Sequence, residues 1–176
     1  VISKNGREII IDPGQNSFDF VIKNSHAPLT ILNTHGHFDH IFDDVSLKKI
    51  FNIPVYIHNN DNFMLQSDIW DIGQQTMNDA ICVGGAKFED VKFTIEDFEF
   101  MHFPGHTPGC CMVRVDEAIF SGDFLFNGSI GRYDFLFSNA EDMRQSLLKC
   151  KKMQGDFTLY PGHGDKTTLK AEKENL

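Results

Sequence analysis

Apolar and polar positions change period every few residues along this chain. Residues 8–12 read as a strand that stops at Pro13-Gly14, a turn pair. Residues 16–23 predict a short helix, 29–33 a second strand, and 34–40 a loop. Residues 42–51 have helical spacing and end near Asn52 and Pro54. Residues 54–58 predict a strand and 61–69 another helix. From 72 to 96 no period is clear, although Gly84-Gly85 marks a turn. Residues 98–103 alternate as a strand, and 110–115 with 118–121 suggest a hairpin across Asp116-Glu117. Residues 139–153 form the clearest helix. Ser138 and Glu141 have capping-box spacing, and Met143, Leu147, Cys150 and Met153 share one face. A strand at 157–160 stops at Pro161-Gly162, and 168–175 predict a last helix. Strands and helices mixed in this way indicate an α/β or α+β protein.

Composition narrows the class. The chain has 176 residues, 41% hydrophobic and 23% charged, an ordinary globular balance that can bury a core. No repeat or low-complexity linker divides it, so residues 1–176 read as one domain. No apolar run approaches the ~18 residues of a membrane helix. The opening Val1-Ile2-Ser3-Lys4-Asn5-Gly6-Arg7-Glu8 is too polar for a signal peptide. It lacks an initiator methionine and reads as a strand end, which suggests that the domain's first strand or strands are missing. Sixteen basic residues against 25 acidic give a net charge of −9, which argues against nucleic acid and anionic membranes as partners. Lys48-Lys49 and Lys149 with Lys151-Lys152 are short basic groups expected on solvated helix faces. Bound divalent cations would offset part of the acidity. Cys82, Cys110, Cys111 and Cys150 form no C-x-x-C pair, so a reducing, cytoplasmic setting is expected, with Cys110 and Cys111 as inert core thiols.

The chemistry lies in four short pieces. Thr34-His35-Gly36-His37-Phe38-Asp39-His40 puts three imidazoles and a carboxylate directly after an apolar strand. In extended chain, residues two apart point the same way, so His35 and His37 can reach one cation. Asp39 and His40 fall a step further on, where the chain turns, and can face a neighbouring cation. The other pieces are Pro104-Gly105-His106-Thr107-Pro108-Gly109, Ser121-Gly122-Asp123 and Tyr160-Pro161-Gly162-His163-Gly164. Each sets one histidine or aspartate just after a strand, among turn-forming residues. Imidazole with carboxylate suits zinc, with iron and manganese as the other candidates.

The order Thr-His-x-His-x-Asp-His, Pro-Gly-His-Thr-Pro-Gly, Gly-Asp, Pro-Gly-His-Gly resembles the metallo-β-lactamase superfamily, and its glyoxalase II-like branch most. Phe124-Leu125-Phe126, Gly131-Arg132-Tyr133-Asp134 and the tail from Tyr160 add to that likeness, which runs over nearly the whole chain. The resemblance implies an αββα sandwich of two mixed sheets flanked by helices, α+β in class. It implies two divalent metal ions, zinc first. His35, His37 and His106 would hold one, Asp39, His40 and His163 the other, and Asp123 would bridge them. Asp12, in Ile11-Asp12-Pro13-Gly14, would orient a ligand histidine. The implied reaction is hydrolysis of a small thioester, S-lactoylglutathione-like, by a metal-bound hydroxide, with Asp39 as ligand and orienter of that hydroxide. A thiolate leaves readily, which suits a site with no evident general acid.

The classical glutathione-thioester hydrolases carry a C-terminal helical domain that is not expected here, so a shorter, single-domain glyoxalase II-type hydrolase is the nearer likeness. A mononuclear iron persulfide dioxygenase is the rival reading, since that family shares the His-x-His-x-Asp-His loop and a Gly-Arg-x-Asp stretch. Lactone or phosphodiester hydrolysis are further superfamily chemistries. Among the remaining residues, His58 and His102 are expected to be structural and His26 to lie on the surface. Arg132 and Asp134 are expected to pair. Phe124, Phe126, Phe135 and Phe137 are expected first of all in the core, with one or two as the candidates to line an apolar pocket mouth.

Overall fold

A computed structural model describes residues 1–4, 6–92 and 98–176. Asn5, in the expected opening turn, and the end of the aperiodic 72–96 stretch lie outside the described residues. The rest forms two compact units, Val1–Val83 and Gly84–Leu176.

The first unit is a five-stranded sheet in sequence order: β1 (Ile2–Lys4), β2 (Arg7–Ile11), β3 (Pro28–Leu32), β4 (Val55–His58) and β5 (Ile81–Val83). β1 pairs antiparallel with β2; every later pair is parallel. Parallel neighbours require crossovers. Helix α1 (Phe18–Asn24) joins β2 to β3, and α2 (Phe38–Ile41) with α3 (Asp44–Phe51) joins β3 to β4. A 3₁₀ turn, Asn59–Asp61, and α4 (Asn62–Gln66) follow β4. The core holds Ile10, Ile31, Val55 and Ile57 from the strands, packed with Val21, Ile41, Val45, Leu47, Met64 and Leu65 from the helices.

Two expectations shift here. The 34–40 loop yields its last three residues to α2, whose N-cap His37 is extended and whose first turn carries Asp39, a favourable place for a carboxylate. The helix expected over 42–51 begins at Asp44, because Asp43 has left helical geometry (φ −94°, ψ 2°). Its carboxylate accepts from the Phe18 amide at 2.9 Å and the Ser17 hydroxyl at 3.1 Å, closing the start of α1 instead.

The second unit is a six-stranded mixed sheet in the order β13-β12-β9-β8-β7-β6. These are β6 (Asp90–Lys92), β7 (Glu99–His102), β8 (Cys111–Val115), β9 (Ala118–Gly122), β12 (Thr158–Pro161) and β13 (Thr167–Thr168), with a small hairpin of β10 (Leu125–Phe126) and β11 (Ser129–Ile130). β9 and β12 are parallel and the other pairs antiparallel. Helix α5 (Ala140–Lys152) carries the crossover from β9 to β12, and α6 (Leu169–Asn175) follows β13. Phe103 and Phe124 stack at 4.8 Å in a core completed by Met112, Ile119, Met143, Cys150, Leu159 and Leu169. The fold is thus α+β, with two mixed sheets and helices. No helix among the described residues is long and apolar enough to cross a membrane.

The expected capping box is replaced. Asn139 caps α5 by accepting from the Asp142 amide at 2.9 Å, while the Ser138 hydroxyl donates to the His106 carbonyl at 2.8 Å. Lys149, expected on a solvated face, turns inward. Its ammonium donates to the carbonyls of Phe88 and His102 and pairs with Asp90 at 2.7 Å, tying α5 to the neighbouring strands. Cys110, Cys111 and Cys150 are buried; burial pushes the Cys150 thiol up to about 11, so it is inert. His26 is exposed, and His58 accepts from the Asn60 amide at 3.2 Å, a structural role. His102 is buried. It accepts from the Phe88 amide at Nδ1 and lies 2.8 Å from the Pro108 carbonyl at Nε2.

Candidate metal centre

In the first unit the chemistry gathers past the carboxyl ends of β2 and β3, the edge where open parallel sheets place their sites. Asp12 follows β2 with φ 46°, a left-handed conformation that aspartate tolerates. Its Oδ1 accepts from the Thr34 amide at 2.6 Å. Its Oδ2 accepts from the Thr34 hydroxyl at 2.6 Å and faces His40 Nδ1 at 2.9 Å. A carboxylate oxygen only accepts, so His40 carries its proton on Nδ1. The Thr34 hydroxyl has one hydrogen to donate, and it donates it to the carboxylate. Toward His35 Nδ1, 3.1 Å away, that hydroxyl can therefore only accept, which puts the His35 proton on Nδ1 as well. One carboxylate thus fixes two imidazoles in the same tautomer and leaves each Nε2 with its lone pair.

The rings are close. His35 lies 4.9 Å from His37 and 4.1 Å from His40, centroid to centroid, and all three are buried. Asp39 Oδ2 stands 3.8 Å from His40 Nε2. Two glycines hold the loop tight. A Cβ on Gly36 would come within 2.7 Å of Met64 Sδ, and one on Gly14 within 1.7 Å of the Asp39 carbonyl oxygen. The Gly36 amide donates to Asp61 at 3.0 Å, and Trp70 stands edge-on to His37 at 5.7 Å. Sequence reasoning did not single out Thr34, Asp61 or Trp70 individually. Thr34 was visible only as part of its motif, and nothing local marks the other two.

In the second unit β7 and β9 both run antiparallel to β8, and β12 runs with β9, so their carboxyl ends share one edge. His106, Asp123 and His163 follow those three strands. The β9–β12 register shifts between Tyr160 and Pro161, and the Gly162 amide donates to the Gly122 carbonyl at 2.9 Å. That register sets Asp123 beside His163. Asp123 Oδ2 lies 3.5 Å from His163 Nε2 and 3.5 Å from His106 Nε2. His106 Nδ1 donates to the Arg132 carbonyl at 2.8 Å, so its Nε2 also keeps a lone pair. Gly131 makes the approach possible: a Cβ there would meet the Asp123 carbonyl oxygen at 1.7 Å.

Donor chemistry at these strand ends fits divalent cations. Ligand atoms about 2.0–2.1 Å from one tetrahedral ion lie about 3.4 Å apart, close to the Asp123 separations. Imidazoles buried together and presenting lone pairs are matched to a divalent cation, and a carboxylate beside them supplies countercharge. The structure brings Asp12, His35, His37, Asp39 and His40 together in one unit, and His106, Asp123 and His163 in the other.

A mixed α+β scaffold with histidines and aspartates at its strand ends defines a metal-binding protein. The chain belongs to the metallo-beta-lactamase superfamily, whose model matches residues 1–163, and it has that fold. Members are metal-dependent hydrolases. It is 31% identical to the hydroxyacylglutathione hydrolase GloC of Haemophilus influenzae, over 94% of this chain and 84% of that one. Among solved structures it is similar to BLEG-1, a B3 metallo-beta-lactamase, at a TM-score of 0.85 and 27% identity, covering 99% of this chain and 89% of that one. It is also similar to TTHA1623 in a di-iron-bound form, at 0.74 and 30%, covering 94% and 86%.

Proposed function

We propose that the protein is a binuclear metallohydrolase that cleaves small thioesters, of the glyoxalase II type. His35, His37 and His106 would hold one divalent ion, Asp39, His40 and His163 the other, with Asp123 shared. The observation that carries this reading is the single Asp123 oxygen at 3.5 Å from both His106 and His163. The likeness to GloC favours a thioester, and TTHA1623 favours iron as well as zinc. Bound ions would supply an ionised water near neutral pH and polarise the substrate carbonyl. The chain's own residues supply alignment. Asp12 and Thr34 hold His35 and His40 with Nε2 presented, the Arg132 carbonyl does the same for His106, and Asp39 orients the water. A thiol ionises near pH 8.5, so the leaving group departs without a protein acid.

The test is metal analysis of protein purified without chelator, then assay with S-lactoylglutathione and simple acyl thioesters. Two metal equivalents per chain, lost together with turnover on chelation, are expected. One iron per chain with thiol-dependent oxygen uptake and no thioester cleavage would install a persulfide dioxygenase in its place.

A further inference from the structure

The loop that follows Gly131 keeps its aromatic residues out of the core. Tyr133, Phe135, Leu136 and Phe137 are 47, 42, 58 and 41% exposed, whereas Phe124 is fully buried. Phe137 also sits at φ 70°, where a bulky residue is strained. Strained backbone clusters at functional sites, and contiguous exposed apolar surface marks binding surfaces.

This loop is built onto His106. The Arg132 carbonyl accepts from His106 Nδ1–H, and the Ser138 hydroxyl donates to the His106 carbonyl at 2.8 Å. The Phe135 amide donates to the Ser138 hydroxyl at 3.2 Å, and the Asn139 amide to the Gly105 carbonyl at 2.8 Å. The Phe135 ring stands edge-on to the His106 imidazole at 6.1 Å. Charge is cancelled within the loop. The Arg132 guanidinium grips Asp134 through two bonds of 2.8 and 3.0 Å and lies 3.9 Å from the centre of the Phe135 ring.

We propose that this lip recognises an uncharged apolar substituent of the substrate, which makes the preferred substrate a thioester with a hydrocarbon chain. The proposal rests on the thioesterase reading for its reaction, but the binding surface belongs to the lip itself. A neutral face of aromatic and leucine side chains, fixed to a candidate ligand histidine, matches a hydrocarbon and offers nothing to a charged end group.

Two substrate series test it. One varies the acyl group, from acetyl to hexanoyl, on N-acetylcysteamine. The other varies the thiol, from ethanethiol to hexanethiol, in acetyl thioesters. In one series kcat/KM should rise by up to about fourfold per added methylene. Leu136→Ser and Phe137→Gly should flatten that rise, and Phe137→Gly also relieves the positive φ, so the variant folds. Leu148→Ser is the control: exposed at 42%, against 42% for Phe135 and 41% for Phe137, it lies on α5 about 13 Å along the axis from the cap. It should leave the chain-length dependence intact. Flat profiles in both series would overturn the proposal. So would an unchanged profile in the lip variants, including the case where they alter only the oligomeric state seen by light scattering. If no thioester is cleaved at all, the thioesterase reading falls separately. The lip is then tested by calorimetric titration with straight-chain carboxylates from acetate to octanoate. Affinity that climbs with length, and loses its climb in Leu136→Ser, supports it; length-independent affinity overturns it.

Discussion

Replacing Asp12 by asparagine changes one atom and leaves shape and backbone alone, since asparagine also tolerates the left-handed φ of 46°. The Oδ1 position can still accept from the Thr34 amide. At the Oδ2 position an NH₂ group now faces both the Thr34 hydroxyl and His40 Nδ1. The hydroxyl can turn and accept. His40 must either hold its Nδ1 proton against another donor or move that proton to Nε2, which removes the lone pair a metal needs. Once that proton moves, three charge-assisted bonds become neutral ones, each weaker by about 1 kcal/mol, so the folded state loses about 3 kcal/mol; if it stays, the His40 bond is lost outright. The larger signature is in metal binding, where loss of such an orienting partner costs about 10–100-fold. The chain's single tryptophan, Trp70, lies 5.7 Å from His37 and serves as the reporter. Zinc titration of the stripped protein followed by its fluorescence, in competition with a chelator, gives the affinity directly. Urea denaturation of the same stripped samples gives the stability. Wild-type affinity in a folded Asp12→Asn variant would refute the tautomer argument.

Four other outcomes follow from the structure. Burial holds the Asp44 carboxyl well above its usual range, so the folded protein keeps a proton that the unfolded chain releases. Stability therefore falls as pH rises from the ordinary carboxylate range through the raised value, by up to about 1.4 kcal/mol per unit, and Asp44→Asn should flatten that slope in urea melts across pH. Burial lowers the His102 pKa, so His102 costs stability as pH drops below the ordinary histidine range, and His102→Gln should lessen that acid sensitivity. Gly131→Ala forces a Cβ against the Asp123 carbonyl at 1.7 Å and should cost about 3 kcal/mol or more in thermal and urea melts. Lys149→Met removes donors to two carbonyls and to Asp90, and should cost about 1–3 kcal/mol in urea melts.

The strands and the main helix were legible because their apolar patterns are local. β2, β3, β4, β7, β8, β9 and β12 lie where periodicity places them, give or take a residue. The departures arise from distant partners. Ser138 looks like a cap in sequence but is taken by the His106 carbonyl, which leaves capping to Asn139. Asp43 looks like helix interior but is held by Ser17 and Phe18. Lys149 looks like a surface charge, yet carbonyls far away in sequence draw it in. For the candidate centre, donor types and order were readable from the motifs. What sequence could not carry was how each donor is aimed. The Thr34 relay depends on a 22-residue separation from Asp12, and the His106 tautomer on a carbonyl 26 residues away.

The β9–β12 pairing has a consequence for biosynthesis. Asp123 leaves the ribosome well before His163, and their strands are parallel, so no hairpin can join them early. During translation the second unit lacks its full complement of donors until β12 has emerged and docked. If the candidate donors bind an ion, one captured earlier would meet only part of the set, so cation uptake should peak after β12 has emerged, and a stalled nascent chain ending before Thr158 should hold metal poorly.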